Sequence, residues 1–247
     1  MKSALLYALE NLPLIQLGDN LGELIFERVR EIGVLEGDVF VIAQKVISKA
    51  EGAIVDLSTV EPSENAREIA AQTGRDPRLC QVYLNESQEL IAVKGRMVIT
   101  RHRLGFICSS AGVDRSNVAP LGVGKVVLLP KDPDASARKI RNHILKETGK
   151  RVAVVINDSC GRDDREGSVG TAIGIAGISA IEIRKKKDLF GNDSRSQIAL
   201  IDELAAAGSI LMGQADEGVP VVLIRGVSYV SADNSSITEI LNKRRVP

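Results

Sequence analysis

The chain has no tryptophan, and aromatic residues make up only 3% of its 247 positions. That scarcity argues against a base-stacking or sugar-stacking platform, which needs exposed rings. An excess of one charge is also missing. Thirty-two Lys and Arg offset 32 Asp and Glu, so bulk charge points neither to nucleic acid nor to an anionic membrane. Cys80, Cys108 and Cys160 are too few and too widely spaced for a disulfide framework or a zinc set. They read as reduced thiols of a cytoplasmic protein. No apolar run approaches the roughly 20 residues that span a bilayer. The start, MKSALLYALENLPLIQLGD, is broken by Glu10 and Asn11 and makes a poor secretory signal.

What is present is ordinary for a globular protein: 44% hydrophobic and 26% charged residues, enough to bury a sizeable core. The length suits one large domain or two intertwined small ones. Leu21, Leu24, Ile25, Val29 and Ile32 recur at helical spacing after Asn20, with Gly33 as a stop. Asp38 to Ile47, DVFVIAQKVI, reads as a strand with Gln44 and Lys45 near its end. Ser63 caps a helix that ends at Thr73-Gly74, and a short helix follows Asp76-Pro77. Met97–Thr100 and Leu104–Cys108 read as paired strands, and Lys125–Leu129 as another. DPDASARKIRNHILKETG is a helix with a stripe at Ala137, Ile140, Ile144 and Leu145. Val152–Ile156 is a buried strand, Ser196–Met212 a helix, and Val219–Ile224 a strand. Helices and strands are interspersed without a clean β-α alternation, which predicts an α+β fold with mixed or antiparallel sheets.

Several motifs invite chemistry. LGVGKVV, Leu121–Val127, looks like the end of a P-loop, but Ala119 stands where the first Gly belongs and Val126 where Ser or Thr belongs. A turn leading into a strand is the better reading. Gly170, Gly174 and Gly177 follow GxxxGxxG spacing, which serves close backbone packing or a ligand equally well. Cys160 lacks an evident base, since the only histidines are His102 and His143 and the latter lies in an amphipathic helix. Asp158, between an apolar strand and Ser159, fits either a polar turn or a hard cation that wants oxygen ligands. Asp114 and the run GQADEG, Gly213–Gly218, offer further oxygens. Lys45 and Lys49 are either solvated or point charges for phosphate.

LPLIQLGD, AQKVISKAEG, AGVDRSNV, LLPKDPDASA, NDSCGRDDREGSVGTAIGIAG and LMGQADEGVPVVLIRG occur in that order between Leu12 and Gly226. Together they resemble the coenzyme F420-0:L-glutamate ligase family. The resemblance implies an α+β fold of two intertwined subdomains and a homodimer. It implies a GTP-dependent ligase that joins L-glutamate to the carboxylate of a deazaflavin, F420-0, with Mn2+ or Mg2+ at two sites and stimulation by K+. Further γ-linked glutamates can follow.

Carried onto this sequence, the resemblance places Leu12, Pro13, Leu14 and Ile15 along the guanine-nucleotide site. It sets Gln44, Lys45, Lys49 and Asn117 near the nucleotide, with Lys49 on a phosphate, and Gly213, Gln214, Ala215, Asp216 and Gly218 in the loop that passes the phosphates. Asp114 and Asp158 are implied on one metal and Ser159 and Gln214 on a second, with Asp114, Asp158 and Lys49 carrying the catalysis. The chain departs from the family pattern at Asp163-Asp164, where proline or an aromatic is common, at Ser168, and in its short tail LNKRRVP. Those departures touch the acceptor pocket. The same chemistry on another small acid, an aspartate-based phosphotransferase using Asp158, and a non-catalytic nucleotide binder remain the competing readings.

Overall fold

The computed structural model describes residues 3–118, 122–162 and 165–241. Asp163, Asp164, Ala119, Leu121 and all of the tail after Leu241 lie outside the described residues.

Strand β1 is Leu5–Ala8. Asn20 caps α1, Leu21–Val29, by accepting the Glu23 N–H, and Leu21, Ile25 and Val29 turn inward as their spacing predicts. Strand β2, Val39–Ala43, ends sooner than its sequence suggests. Gln44–Glu51 is a helix, α2, and not the end of a strand. Val46 and Ile47 mimic a β run, but a helix buries Ile47 and Ala50 on one side and leaves Lys45 and Lys49 together on another.

Strand β3 is Ile54–Asp56. Ser63 caps α3, Glu64–Thr73, through the Ala66 N–H, and Asp76 caps α4, Pro77–Asn85, as read from the sequence. Strands β4, Ser87–Lys94, β5, Met97–His102, and β6, Ile107–Ser109, form an antiparallel sheet. The mixed pattern SQELIAVK hides β4, because most of its side chains are only half-buried or exposed.

Strand β7, Lys125–Val127, pairs with β3. Helix α5, Pro133–Thr148, follows its Asp132 cap. Strands β8, Ala153–Arg162, and β9, Arg165–Ala176, make a long hairpin, and β10, Glu182–Lys187, and β11, Asp193–Ile198, make a second. Helix α6, Leu200–Met212, starts later than expected because Ser196–Ile198 pair with Glu182–Arg184. Strand β12, Val221–Arg225, completes the order.

The main sheet runs β1-β12-β2-β8-β9, and only the β2–β8 pair is parallel. Phe40, Ile42, Val154 and Ile156 pack against α1 and α5, while Val39, Val41 and Val155 pack against α6. Helices on both faces explain why β2 and the start of β8 are apolar without alternation. A smaller core gathers Ala66, Ile69, Leu79, Val82 and Tyr83 around Val98 and Val126. This is an α+β architecture with mixed and antiparallel sheets. The smaller core is built from chain that leaves the main sheet after α2 and returns at α5. Among the described residues, no helix is long and apolar enough to cross a membrane.

Two local readings change. The strand read as Val152–Ile156 runs further, and of the two readings of Asp158 the polar turn is set aside: β8 continues to Arg162, with Asp158 opposite Thr171 and Ser159 opposite Gly170 after a register shift at Ile156/Asn157. The three glycines favour packing over a ligand. A Cβ at Gly174 would lie 2.7 Å from the Pro133 carbonyl carbon, and one at Gly177 would lie 2.6 Å from the Val152 oxygen.

Candidate functional site

Lys45 and Lys49 lie one turn apart on α2 and reach the same loop. Lys45 Nζ sits 2.8 Å from Asp114 Oδ2 and donates to Ser116 Oγ at 2.6 Å. Asp114 Oδ1 accepts the Ser116 N–H and hydroxyl at 2.7 and 2.9 Å, a turn that Asp favours. A backbone bridge to Val127 fixes Asp114 from behind, with both hydrogen bonds made. Lys49 Nζ donates to the Asn117 carbonyl at 2.9 Å. Burial lowers the Lys49 pKa, as does the charge of Lys45, while Asp114 opposes both. Asn117 has a left-handed backbone, φ 54°, and its amide donates to the Ala215 carbonyl at 2.9 Å.

That last bond joins the 114–117 loop to the run Gly213–Gly218. Gln214 Oε1 in this run accepts the Ser159 hydroxyl at 2.8 Å, which ties it to β8. Within the run, the Glu217 carboxylate accepts the Ala215 N–H at 2.8 Å, and such backbone bonds hold its pKa low. Gly213 and Gly218 have φ of 67° and 70°. At Gly213 a side chain would also collide with the Glu217 carboxylate. Asp216 is exposed.

Asp158 is the most perturbed acid of the set. Burial pushes its carboxyl up to about 7, and the nearby charge of Asp114 adds to this. The Ser159 N–H and Lys45 pull in the other direction without prevailing. A carboxylate that is desolvated and faces another carboxylate favours a bound cation over ionisation alone. Asp114, Asp158, the Ser159 hydroxyl and the Gln214 amide oxygen are hard donors, suited to Mg2+ or Mn2+. Among the described residues no group of three or more His, Cys, Asp or Glu is gathered. Two carboxylates fit an ion that completes its shell with water and phosphate oxygens, as Mg2+ commonly does.

The structure brings Lys45, Lys49, Asp114, Asn117, Asp158, Ser159, Gln214 and Ala215 together. Two other expectations end elsewhere. The Gln44 side chain is buried and accepts the Ser48 hydroxyl at 3.0 Å, so it serves α2 internally. Leu12 and Ile15 pack into the main core, and Pro13 and Leu14 are exposed. Their loop is tied to the far end of α2 by a Gly18 N–H to Ala50 bond of 2.9 Å. Burial, with Asp158 beside it, pushes the Cys160 thiol up to about 12, which disfavours the thiolate a nucleophile needs.

Sequence reading misses Ser116 and Asn157. The Asp-x-Ser spacing was a usable signal for Ser116. Asn157 gave no signal, because its partners Ser209 and Met212 lie on a helix far along the chain.

Residues 10–226 match the family described as F420-0:gamma-glutamyl ligase. The chain is 46% identical over 228 residues to the coenzyme F420:L-glutamate ligase of Methanothermobacter thermautotrophicus, covering 91% of this chain and 89% of that one. It is 46% identical over 219 residues to the protein of the same name from Methanocaldococcus jannaschii, covering 88% and 86%. A third, from Archaeoglobus fulgidus, is 43% identical over 236 residues, covering 95% and 91%.

Proposed function

The chain belongs to the F420-0:gamma-glutamyl ligase family, and on that premise we propose that it joins L-glutamate to the carboxylate of coenzyme F420-0 at the expense of GTP. The observation that carries this reading is the meeting of four separate segments. Lys45 and Lys49 from α2, Asp114 and Asn117 from the smaller unit, Ser159 from β8 and Gln214 from the loop after α6 converge through direct bonds.

A carboxylate is a poor acyl donor because its oxygen leaves badly. Transfer of the γ-phosphoryl group from GTP to a carboxylate oxygen makes an acyl phosphate and releases GDP. The amine of glutamate then attacks the acyl carbon, the bond from that carbon to the phosphate oxygen breaks, and the amine gives up a proton. Divalent ions held by Asp114, Asp158, Ser159 and Gln214 supply charge neutralisation to the phosphate oxygens when bound. Lys45 and Lys49 add positive charge beside these groups, with Lys49 as the phosphate contact. The exposed Pro13 and Leu14 offer an apolar surface to the guanine base. K+ is the expected stimulant. None of these steps needs an enzyme nucleophile, in keeping with the raised thiol pKa of Cys160.

The reading includes a homodimer in the cytoplasm. The β10–β11 hairpin supports the dimer: its strands are exposed almost throughout, and its tip presents Leu189 and Phe190 at 99% and 90% exposure. Such a two-stranded ribbon is marginal by itself and gains from a second copy of the chain.

The test is to incubate the protein with GTP, Mn2+, L-glutamate and F420-0 and to look by mass spectrometry for addition of one or more glutamyl residues. Tight GTP binding without product would overturn the acceptor assignment. Equal turnover with ATP would overturn the nucleotide assignment.

A further inference from the structure

Asn157 is 5% exposed and sits one residue before Asp158 on β8. Its Nδ2 donates to Ser209 Oγ at 2.9 Å and lies 3.4 Å from Met212 Sδ, both in the last turn of α6. The direction of the first bond is fixed, because the Ser209 hydroxyl donates to the Ala205 carbonyl at 3.1 Å and must accept from Asn157. Asn157 Oδ1 has no donor among the described residues. A buried acceptor without a donor is costly, and an apolar residue would fill the place at less cost to the fold.

The neighbouring backbone is shaped around this contact. A Cβ at Gly170, opposite Ser159 on β9, would lie 2.7 Å from Asn157 Oδ1 and would collide with Ser209 Oγ. Glycine there lets the last turns of α6 settle onto the hairpin. Gly213 and Gln214 follow Met212 directly, so whatever fixes that turn also fixes where Gln214 meets Ser159.

We propose that Asn157 is a positioning residue: its amide, together with Ser209 and the bare backbone of Gly170, anchors the end of α6 and so holds the Gly213–Gly218 loop, with Gln214, against Asp158 and Ser159. The importance of this for metal and nucleotide rests on the function proposed above, but the anchoring itself does not.

Asn157→Leu keeps the branched shape and removes the amide, and Ser209→Ala removes the acceptor from the helix side without touching β8. Hydrogen exchange of the ligand-free protein, read by mass spectrometry, is expected to speed up at 213–218 by about tenfold or more in both variants, while β2 and α5 keep their protection. Mn2+ affinity in the presence of GTP, read by the EPR signal of free Mn2+, is expected to fall about tenfold. In a Gln214→Ala background the same substitutions are expected to add little. Unchanged exchange at 213–218 in either variant, folded by circular dichroism, overturns the inference whatever the binding shows. Faster exchange there in a protein that binds no Mn2+ or GTP leaves the anchor standing and removes the proposed function instead. Equal losses of affinity with and without Gln214 overturn the route through Gln214.

Discussion

Lys45 Nζ lies 2.8 Å from Asp114 Oδ2, so a helix packed on the main sheet and a loop of the smaller unit meet through one ion pair. Both side chains remain about one-fifth open to solvent, at 21% and 23%. An ion pair in that setting contributes at most about 1 kcal/mol to stability. Its value is the placement of a cation and a carboxylate in one site.

Lys45→Met is therefore expected to lower kcat/KM for GTP by about 100-fold or more while moving the melting temperature only a few degrees. Steady-state kinetics beside a thermal melt checks this. Undiminished turnover would take Lys45 out of the site.

Asp158 makes a prediction of opposite sign for stability and activity. Its folded pKa is raised to about 7, above the unfolded value of 3.8. Between those values the native state holds a proton that the unfolded chain has lost, so this group makes stability fall as pH rises across that window. The burden is complete above about pH 7 and absent below the unfolded pKa. Asp158→Asn is expected to raise the melting temperature of the metal-free protein at pH 8, with little change at pH 4, and to abolish metal-dependent turnover. A lower melting temperature at pH 8 would contradict this.

Much of the fold is legible in the sequence wherever its signals are local. Ser63, Asp76 and Asp132 cap helices as their side chains predict, and Gly74 and Gly149 close two of them. The errors arise where partners distant in sequence decide. Gln44–Ile47 reads as strand because Val46 and Ile47 are β-branched, yet packing makes it a helix. The apolar run reads as a strand only to Ile156, because Asn157–Ser159 are polar, yet pairing with Gly170–Ala172 carries the strand on. In the site, Lys45, Lys49, Asp114, Asp158, Ser159 and Gln214 are legible through family resemblance. Asn157 is not, because a buried amide reveals its purpose only through what it touches.

Acid stability is expected to depend on Glu86. His102 Nδ1 accepts the Leu104 N–H at 3.1 Å, which leaves Nε2 as the ring N–H, aimed at Glu86 from 3.6 Å, and Arg103 Nε donates to Glu86 at 2.9 Å. His102 foremost, then Arg103, hold the Glu86 carboxyl below its ordinary value of 4.5, against the effect of burial. The resulting stability is fully present above the unfolded pKa and is lost as pH falls through the folded one. Glu86→Gln is expected to cost roughly 1–3 kcal/mol at pH 7 and to flatten the acid limb below pH 4.5 in urea titrations. An unchanged acid limb would contradict this.

The β10–β11 hairpin gives the association test. Leu189→Ser with Phe190→Ser is expected to weaken self-association by about tenfold or more in light scattering across a concentration series. A wild-type chain that stays a single copy, or a variant that associates equally well, would contradict the dimer.

The central claim is that GTP activates the acceptor carboxylate by phosphoryl transfer in the site around Lys45, Asp114 and Asp158. F420-0 labelled with 18O in its terminal carboxylate tests it most directly, with the released phosphate read by mass spectrometry. The account predicts one 18O in phosphate for each amide bond formed. Amide formation with unlabelled phosphate would contradict it.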